Sequence, residues 1–269
     1  MAGLHHKKRL WQLRGQISRK QYWTIAAFGL LIPLLLWYLV AAAQIFPNMF
    51  LPSPAAVIER LKNWFVEEGL FEDVWVSTVR VVLGFLVSAV IALPLGLFIG
   101  TYAPVAAFFE PLTDFIRYMP AVAFIPLVML WFGVEEEAKI AIIFIGTFFQ
   151  MVLMFADNVR GVPMVQIEAG QTMGGTNLEI LRHVVLPSSL PALVDTMRVT
   201  MGWAWSYLVV AELVAANSGI GFAILQAQRL VQTDKIFVGI ILIGMIGLII
   251  DQLFRLIHRF AFPWLHSRK

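Results

Sequence analysis

The sequence predicts an all-α polytopic membrane protein with six transmembrane helices, and three observations lead there. Of its 269 residues, 59% are hydrophobic and only 14% charged, and mean hydropathy is +0.79. A soluble domain of that length needs far more polar surface to cover its core. The apolar residues are grouped in runs that match the ~20 residues a helix needs to cross a bilayer. The connecting segments differ in Lys and Arg content, as the positive-inside rule requires of alternating loops. Cysteine is absent, which excludes disulfides and thiolate metal sites.

The first helix is expected over 24–43. Six cations (Lys7, Lys8, Arg9, Arg14, Arg19 and Lys20) precede it, and Ala41-Ala42-Ala43 close it, in the manner of a secretory signal. A signal core spans only about 7–15 residues, so this longer run is read as a retained helix. In the segment 44–73, Ser53 is placed to cap a short helix with Pro54 at its first position. Val57, Leu61, Trp64 and Phe65 give that helix an apolar stripe, which suits either a membrane interface or a plain surface helix.

A second long helix is expected over 74–102, where Gly96 and Gly100 allow close approach of a neighbour. The third, 104–131, should be broken, because Pro111, Pro120 and Pro126 each remove a backbone donor. The fourth covers 139–156, the fifth 189–214 and the sixth 236–257, and 215–235 holds a short amphipathic segment. The chain divides into a tail 1–23, a transmembrane domain 24–262 and a tail 263–269.

Orientation follows from the cations. With the N-terminus inside, the inner segments hold the six N-terminal cations, Arg117, Arg160, Arg182, Arg255, Arg259, Arg268 and Lys269, thirteen in all. The outer segments hold five: Arg60, Lys62, Lys139, Arg229 and Lys235. Both termini are therefore expected in the cytoplasm.

The inner connection, about 158–188, carries the most information. Gln166 to Thr172 should form a short helix stopped by Gly174-Gly175, where positive φ costs nothing. Thr176 and Glu179 then make a capping box that starts a second helix. Leu186-Pro187 should end it, with Ser188 or Ser189 capping the next. The expected product is a stiff helical elbow on the cytoplasmic face.

Glu168-Ala169-Gly170, three residues, Gly174, nine residues, then Val184-Val185-Leu186-Pro187 resembles the hallmark loop of ABC importer permeases, Glu-Ala-Ala-x3-Gly-x9-Ile-x-Leu-Pro. Gly170 and Val184 are its two departures. Phe50-Leu51-Pro52-Ser53-Pro54, Trp131-Phe132-Gly133, and Ala211 to Ala216 followed by Gly219-Ile220-Gly221 are similar to the nitrate, sulfonate, taurine and bicarbonate branch. The resemblance implies the type I ABC importer permease fold in a bacterial-type inner membrane. It also implies a homodimer with the pathway at its interface, two ATP-binding-cassette ATPase subunits and an extracytoplasmic substrate-binding protein. Glu168, Ala169, Gly170 and Gly174 would contact the ATPase, with Leu186 and Pro187 fixing the elbow. ATP and magnesium would be bound by the ATPase partners, with no cofactor in this chain. The solute would be small and polar, an oxyanion or sulfonate.

No phosphate-binding Gly-x-x-x-x-Gly-Lys-Ser/Thr loop, His-Glu-x-x-His or Gly-x-Ser-x-Gly motif occurs, so no catalytic or metal residue is assigned and nucleic acid is not a partner. Energy then has to come from another subunit. The alternative, an ion-coupled secondary transporter, calls for unpartnered intramembrane carboxylates and usually an inverted repeat. Asp195 instead has Arg198 three residues on, on the same helix face. That pair is either a structural salt bridge or an anion-attracting step. Trp203, Trp205 and Gln150 are further pathway candidates, and the two tryptophans point to different faces. Glu212 is expected to anchor the loop 216–221, and Arg80 to snorkel outward.

Overall fold

The computed structural model describes residues 17–265, and what it describes is helical, without strands. The N-terminal cations before Arg19, His5 and His6, and Arg268 and Lys269 lie outside those residues. Helix α1 (Arg19–Ala42) starts at a capping box made by Ser18 and Gln21, five residues earlier than hydropathy alone places it. Helix α2 (Pro54–Glu67) starts as expected, with the Ser53 hydroxyl accepting from the Ala56 N–H at 3.2 Å. The remaining elements are α3 (Leu70–Thr101), α4 (Ala103–Arg117), α5 (Ile125–Phe132), α6 (Glu136–Arg160), α7 (Met164–Thr172), α8 (Asn177–Ile180), α9 (Leu186–Ala215), α10 (Ile220–Arg229) and α11 (Thr233–Ala261).

Among the described residues, α1, α3, α6 and α11 are long and apolar enough to cross a membrane. The broken third segment is found as α4 followed by the stretch Ala121–Phe132, bent by 87° at the Pro120 break. Counted together as one broken span, that pair brings the number to five. Helix α9 has 30 residues, or about 45 Å of length. It is less apolar because it carries Asp195, Arg198 and Glu212, and the count of six rests on it.

Helices α3, α6 and α9 form the centre, with Phe85, Met151, Phe155, Leu193 and Leu208 buried between them. A Cβ on Gly96 would sit 2.6 Å from the Phe155 Cβ, and one on Gly100 the same distance from the Val159 Cβ. The small-residue spacing in α3 is therefore what seats α6. Ser88 and Thr147 hydroxyls bond across the same pair at 2.8 Å, the polar contact that apolar helices use to fix their register.

On α2, Val57 and Trp64 are buried and pack with α10 and α11, while Phe65 stays exposed at 66%. The predicted stripe is thus narrower by one residue. Lys235, in the first turn of α11, pairs with Glu68 at 2.6 Å and lies over the Trp64 ring. That contact holds the Glu68 carboxyl below the usual carboxylate range.

Candidate functional site: the elbow, the buried charges and a mid-helix cavity

The elbow forms where the spacing places it. Helix α7 ends in a Schellman turn: the Gly175 N–H reaches the Gly170 carbonyl at 3.1 Å and the Gly174 N–H the Gln171 carbonyl at 2.9 Å. Gly174 takes φ +81°, which a side chain would resist. The Thr176–Glu179 capping box opens α8, and the Thr176 N–H and hydroxyl hold the Glu179 carboxyl below its ordinary range.

Beneath the elbow, Val159, Val162, Ile180, Leu181 and Val185 make a small core of their own, joined by Ile167 and Val184. A Cβ on Gly170 would lie 3.2 Å from Ile180, so the departure from alanine there suits close seating of α7 on α8. Glu168 and Ala169 face solvent. Their apolar neighbours are exposed as well: Met164, Val165, Leu178 and, at 88%, Met173.

Leu186 and Pro187 do not break the chain. A π-helical turn, Leu181–Val185, joins α8 to α9, and the Leu186 N–H bonds the Leu181 carbonyl five residues back. A proline ring collides with the carbonyl four residues before it in a regular α-helix. The wider turn moves that carbonyl aside and keeps the helix continuous. Ser188 and Ser189 consequently cap nothing. Ser188 donates to the Gln166 side chain at 2.8 Å, tying α9 back to α7, and Ser189 donates to the Leu186 carbonyl at 3.0 Å.

At the opposite end of the bundle lies a charge network that sequence reasoning missed. Arg80 is 2% exposed rather than snorkelling. It grips Glu136 with two nitrogens at 2.5 and 2.6 Å, and Glu212 with a third at 2.7 Å. The Ser218 carbonyl accepts from it as well, at 2.7 Å. Glu212, fully buried, accepts from the Ser77 hydroxyl at 2.8 Å and the Gly221 N–H at 2.7 Å. Its expected role as loop anchor is what the geometry has. Lys139 completes the cluster, pairing with Glu136 at 2.9 Å.

The pathway candidates separate into three places. Asp195 and Arg198 pair at 3.6 Å, but Arg198 is equally close to Asp251 of α11, and the His258 ring lies 3.7 Å from Asp195. Arg198 thus ties α9 to α11 as well as answering Asp195. We expect Arg198→Ala to lower the detergent melting temperature more than Asp195→Ala, whose half-exposed pairing contributes at most ~1 kcal/mol. Equal shifts would mean that the Asp251 contact does not hold these helices. Trp205 is buried against the core, and its indole N–H has no partner among the described residues.

Trp203 and Gln150 do come together. They line a cavity of about 220 Å³ with Tyr207, Gly146, Phe149 and Arg117. The tryptophans therefore face opposite ways, as their spacing predicted. Arg117, counted among cytoplasmic cations in the sequence reading, ends α4 about 21 Å along that helix.

Comparison with known proteins matches these features. The profile of the family described as "Binding-protein-dependent transport system inner membrane component" fits residues 92–262. The chain is 30% identical to the taurine transport system permease protein TauC of Escherichia coli (strain K12), over 97% of this chain and 95% of that one. It is 29% identical to the bicarbonate transport system permease protein CmpB of Synechococcus elongatus, over 70% of this chain and 68% of the relative. The fold is shared with the inward-facing MetNI methionine ABC transporter at TM-score 0.60 and 22% identity, covering 71% of this chain and 98% of that one. With the elbow loop in place and a family profile spanning more than half its length, the chain belongs to the inner-membrane components of binding-protein-dependent transport systems, the permeases of ABC importers.

Proposed function

We propose that two copies of this chain form the pathway of an importer that carries a small oxyanion or sulfonate into the cytoplasm. The observation that carries this reading is the elbow at Gly174-Gly175. It is exposed and apolar on its outer side at Met173 and Leu178, and it rests on its own core at Ile180 and Leu181. Such a surface suits a protein partner, and its stiff base suits the transmission of force. Two ATP-binding-cassette ATPases would dock there, binding ATP and magnesium, and a soluble binding protein would deliver the solute on the other side. Glu168, Ala169, Gly170 and Gly174 sit where the contact would be made, and Leu186 and Pro187 lie in the continuous helix that leaves the elbow. Closure of the ATPases would move α7 and, through the Ser188–Gln166 bond, the first turn of α9. The solute class is supported by the names of the relatives, a taurine and a bicarbonate permease.

The test is purification with the native partners and reconstitution in vesicles. ATP-dependent uptake with a co-purifying ATPase is expected. Uptake driven by an ion gradient, with no ATPase retained, would overturn the reading. Placing the elbow in the cytoplasm also puts both termini there. Moving Arg117 out of the inner cations leaves twelve against five, so the imbalance persists. A reporter fused after Lys269 should be active only if it is one that functions in the cytoplasm. Activity of an exterior-only reporter would refute this orientation.

A further inference from the structure

We propose that Arg117, Gln150, Trp203 and Tyr207 form an anion-binding step inside the pathway, a deepening that rests on the importer reading above. All four line the same cavity of about 220 Å³, smaller than the ~300–1,000 Å³ that holds drug-sized ligands and matched to a solute of a few heavy atoms. Gln150, Trp203 and Tyr207 sit at mid-helix positions, and Arg117 is the last residue of α4. Gln150 lies ~21 Å from the start of α6, and Trp203 ~26 Å from the start of α9, within spans that exceed a ~30 Å bilayer core.

The polar chemistry leans toward donors, with the Gln150 carbonyl and the Tyr207 oxygen as the acceptors. Among the described residues the Gln150 amide, the Tyr207 hydroxyl and the Trp203 indole N–H make no hydrogen bond. Arg117 donates through Nε to Asp114 at 2.8 Å and through Nη2 to the Tyr118 hydroxyl at 3.0 Å, leaving Nη1 without a partner. Four residues that carry N–H or O–H donors therefore line one space, with no carboxylate among its lining residues. Donors so arranged recognise an oxyanion, and a planar guanidinium presents its N–H groups at the spacing of carboxylate or sulfonate oxygens.

The arginine is also underneutralised. A cation at bilayer depth costs about 2.5–3.5 kcal/mol on insertion scales, and such residues face a wet cavity or a partner. The one carboxylate beside Arg117 is Asp114, itself half exposed, and the guanidinium lies 4.6 Å over the Tyr118 ring. Arg198, by contrast, stands between two carboxylates, Asp195 and Asp251. Arg117 keeps Nη1 to meet an incoming anion, and Asp114 is its resident competitor.

The experiment uses the assembled permease–ATPase complex in vesicles, with taurine, ethanesulfonate, nitrate and bicarbonate as probes. Uptake is measured with the binding protein, and direct binding of the labelled probe without it. For whichever probe the parent imports, Arg117→Gln should cut uptake and direct binding by about tenfold or more. Arg117→Lys should recover part of the loss, since it restores charge without the planar fork. Asp114→Asn should tighten direct binding severalfold, which a merely structural ion pair would not do. Gln150→Leu leaves the Arg117–Asp114 pair intact and should still reduce uptake, so it decides the matter if Arg117→Gln fails to assemble. Parental uptake in Arg117→Gln, or in Gln150→Leu, would overturn the site while leaving the importer reading standing. A parent that imports none of the four probes with ATP would overturn the anion class and the site together.

Discussion

Arg80→Met is expected to destabilise the protein by about 3–5 kcal/mol, because it leaves Glu212 as a buried charge without its cation. On the scale of a domain this size, that lowers the melting temperature by roughly 10 °C. The expectation follows from the sharing of the guanidinium. Arg80 neutralises Glu136 and Glu212 together, with contacts between 2.5 and 2.7 Å. Glu136 keeps Lys139 when Arg80 is removed, whereas Glu212 keeps only the Ser77 hydroxyl and the Gly221 N–H. Those two donors are too few for a carboxylate with no exposed surface. Substituting Glu212→Leu as well removes the stranded charge. The double variant should therefore be less damaged than the sum of the two singles by at least ~1 kcal/mol. Thermal melting in detergent for both singles and the double checks this. Additive losses would show that Arg80 and Glu212 act independently.

The same network explains why part of this molecule was legible in the sequence and part was not. Signals acting within about four residues were readable. The Thr176–Glu179 capping box, the Ser53–Pro54 start, the Gly174 turn and the Gly96–Gly100 seat each depend on one local backbone choice, and all appear where spacing placed them. Glu212 was also readable as a loop anchor, because its partner Gly221 is nine residues away. Its cation was not. Arg80 lies 132 residues from Glu212 and 56 from Glu136, and only the packing of α3, α6 and α9 against one another brings them together. A lone arginine early in an apolar helix reads as snorkelling until the neighbouring helix ends are known.

One other miss has a physical reason, and one convergence of side chains lay beyond the reach of spacing. Pro187 was read as a helix end because a proline normally is one, and the π turn that absorbs it has no simple residue signature. Arg117 counts with the cytoplasmic cations in the sequence because Glu110, Asp114 and Arg117 make the first half of that broken segment polar. The 87° bend at Pro120 separates the two halves and brings Met119 and Ala121 to the cavity beside Gln150 and Trp203. Gln150 and Trp203 were picked individually as polar or aromatic groups inside spans. Their convergence with Arg117 is a property of helix faces, not of spacing along one helix.

Glu168→Lys should abolish transport without disturbing the fold, with binding-protein-stimulated ATPase activity and uptake each falling by about tenfold or more. The side chain of Glu168 is exposed and makes no hydrogen bond or ion pair among the described residues. The residue's role within α7 is its carbonyl, which accepts from the Thr172 hydroxyl at 2.8 Å and survives any substitution. The melting temperature of the permease alone should therefore stay where it is. At the proposed docking surface the change is different in kind. Met164, Val165, Met173 and Leu178 supply exposed apolar area around it, and a partner that covers them excludes water from the carboxylate as well. A lysine there is a desolvated cation at a surface shaped around a carboxylate, and a loss of only ~1.4 kcal/mol already weakens binding tenfold. Glu168→Gln removes the charge without reversing it and should fall between the parent and the lysine variant. Measuring ATPase retention, stimulated hydrolysis and uptake for the three forms orders them. If Glu168→Lys keeps the ATPase subunits bound and transports at the parental rate, Glu168 lies outside the contact, and force would have to enter the elbow through the apolar residues alone.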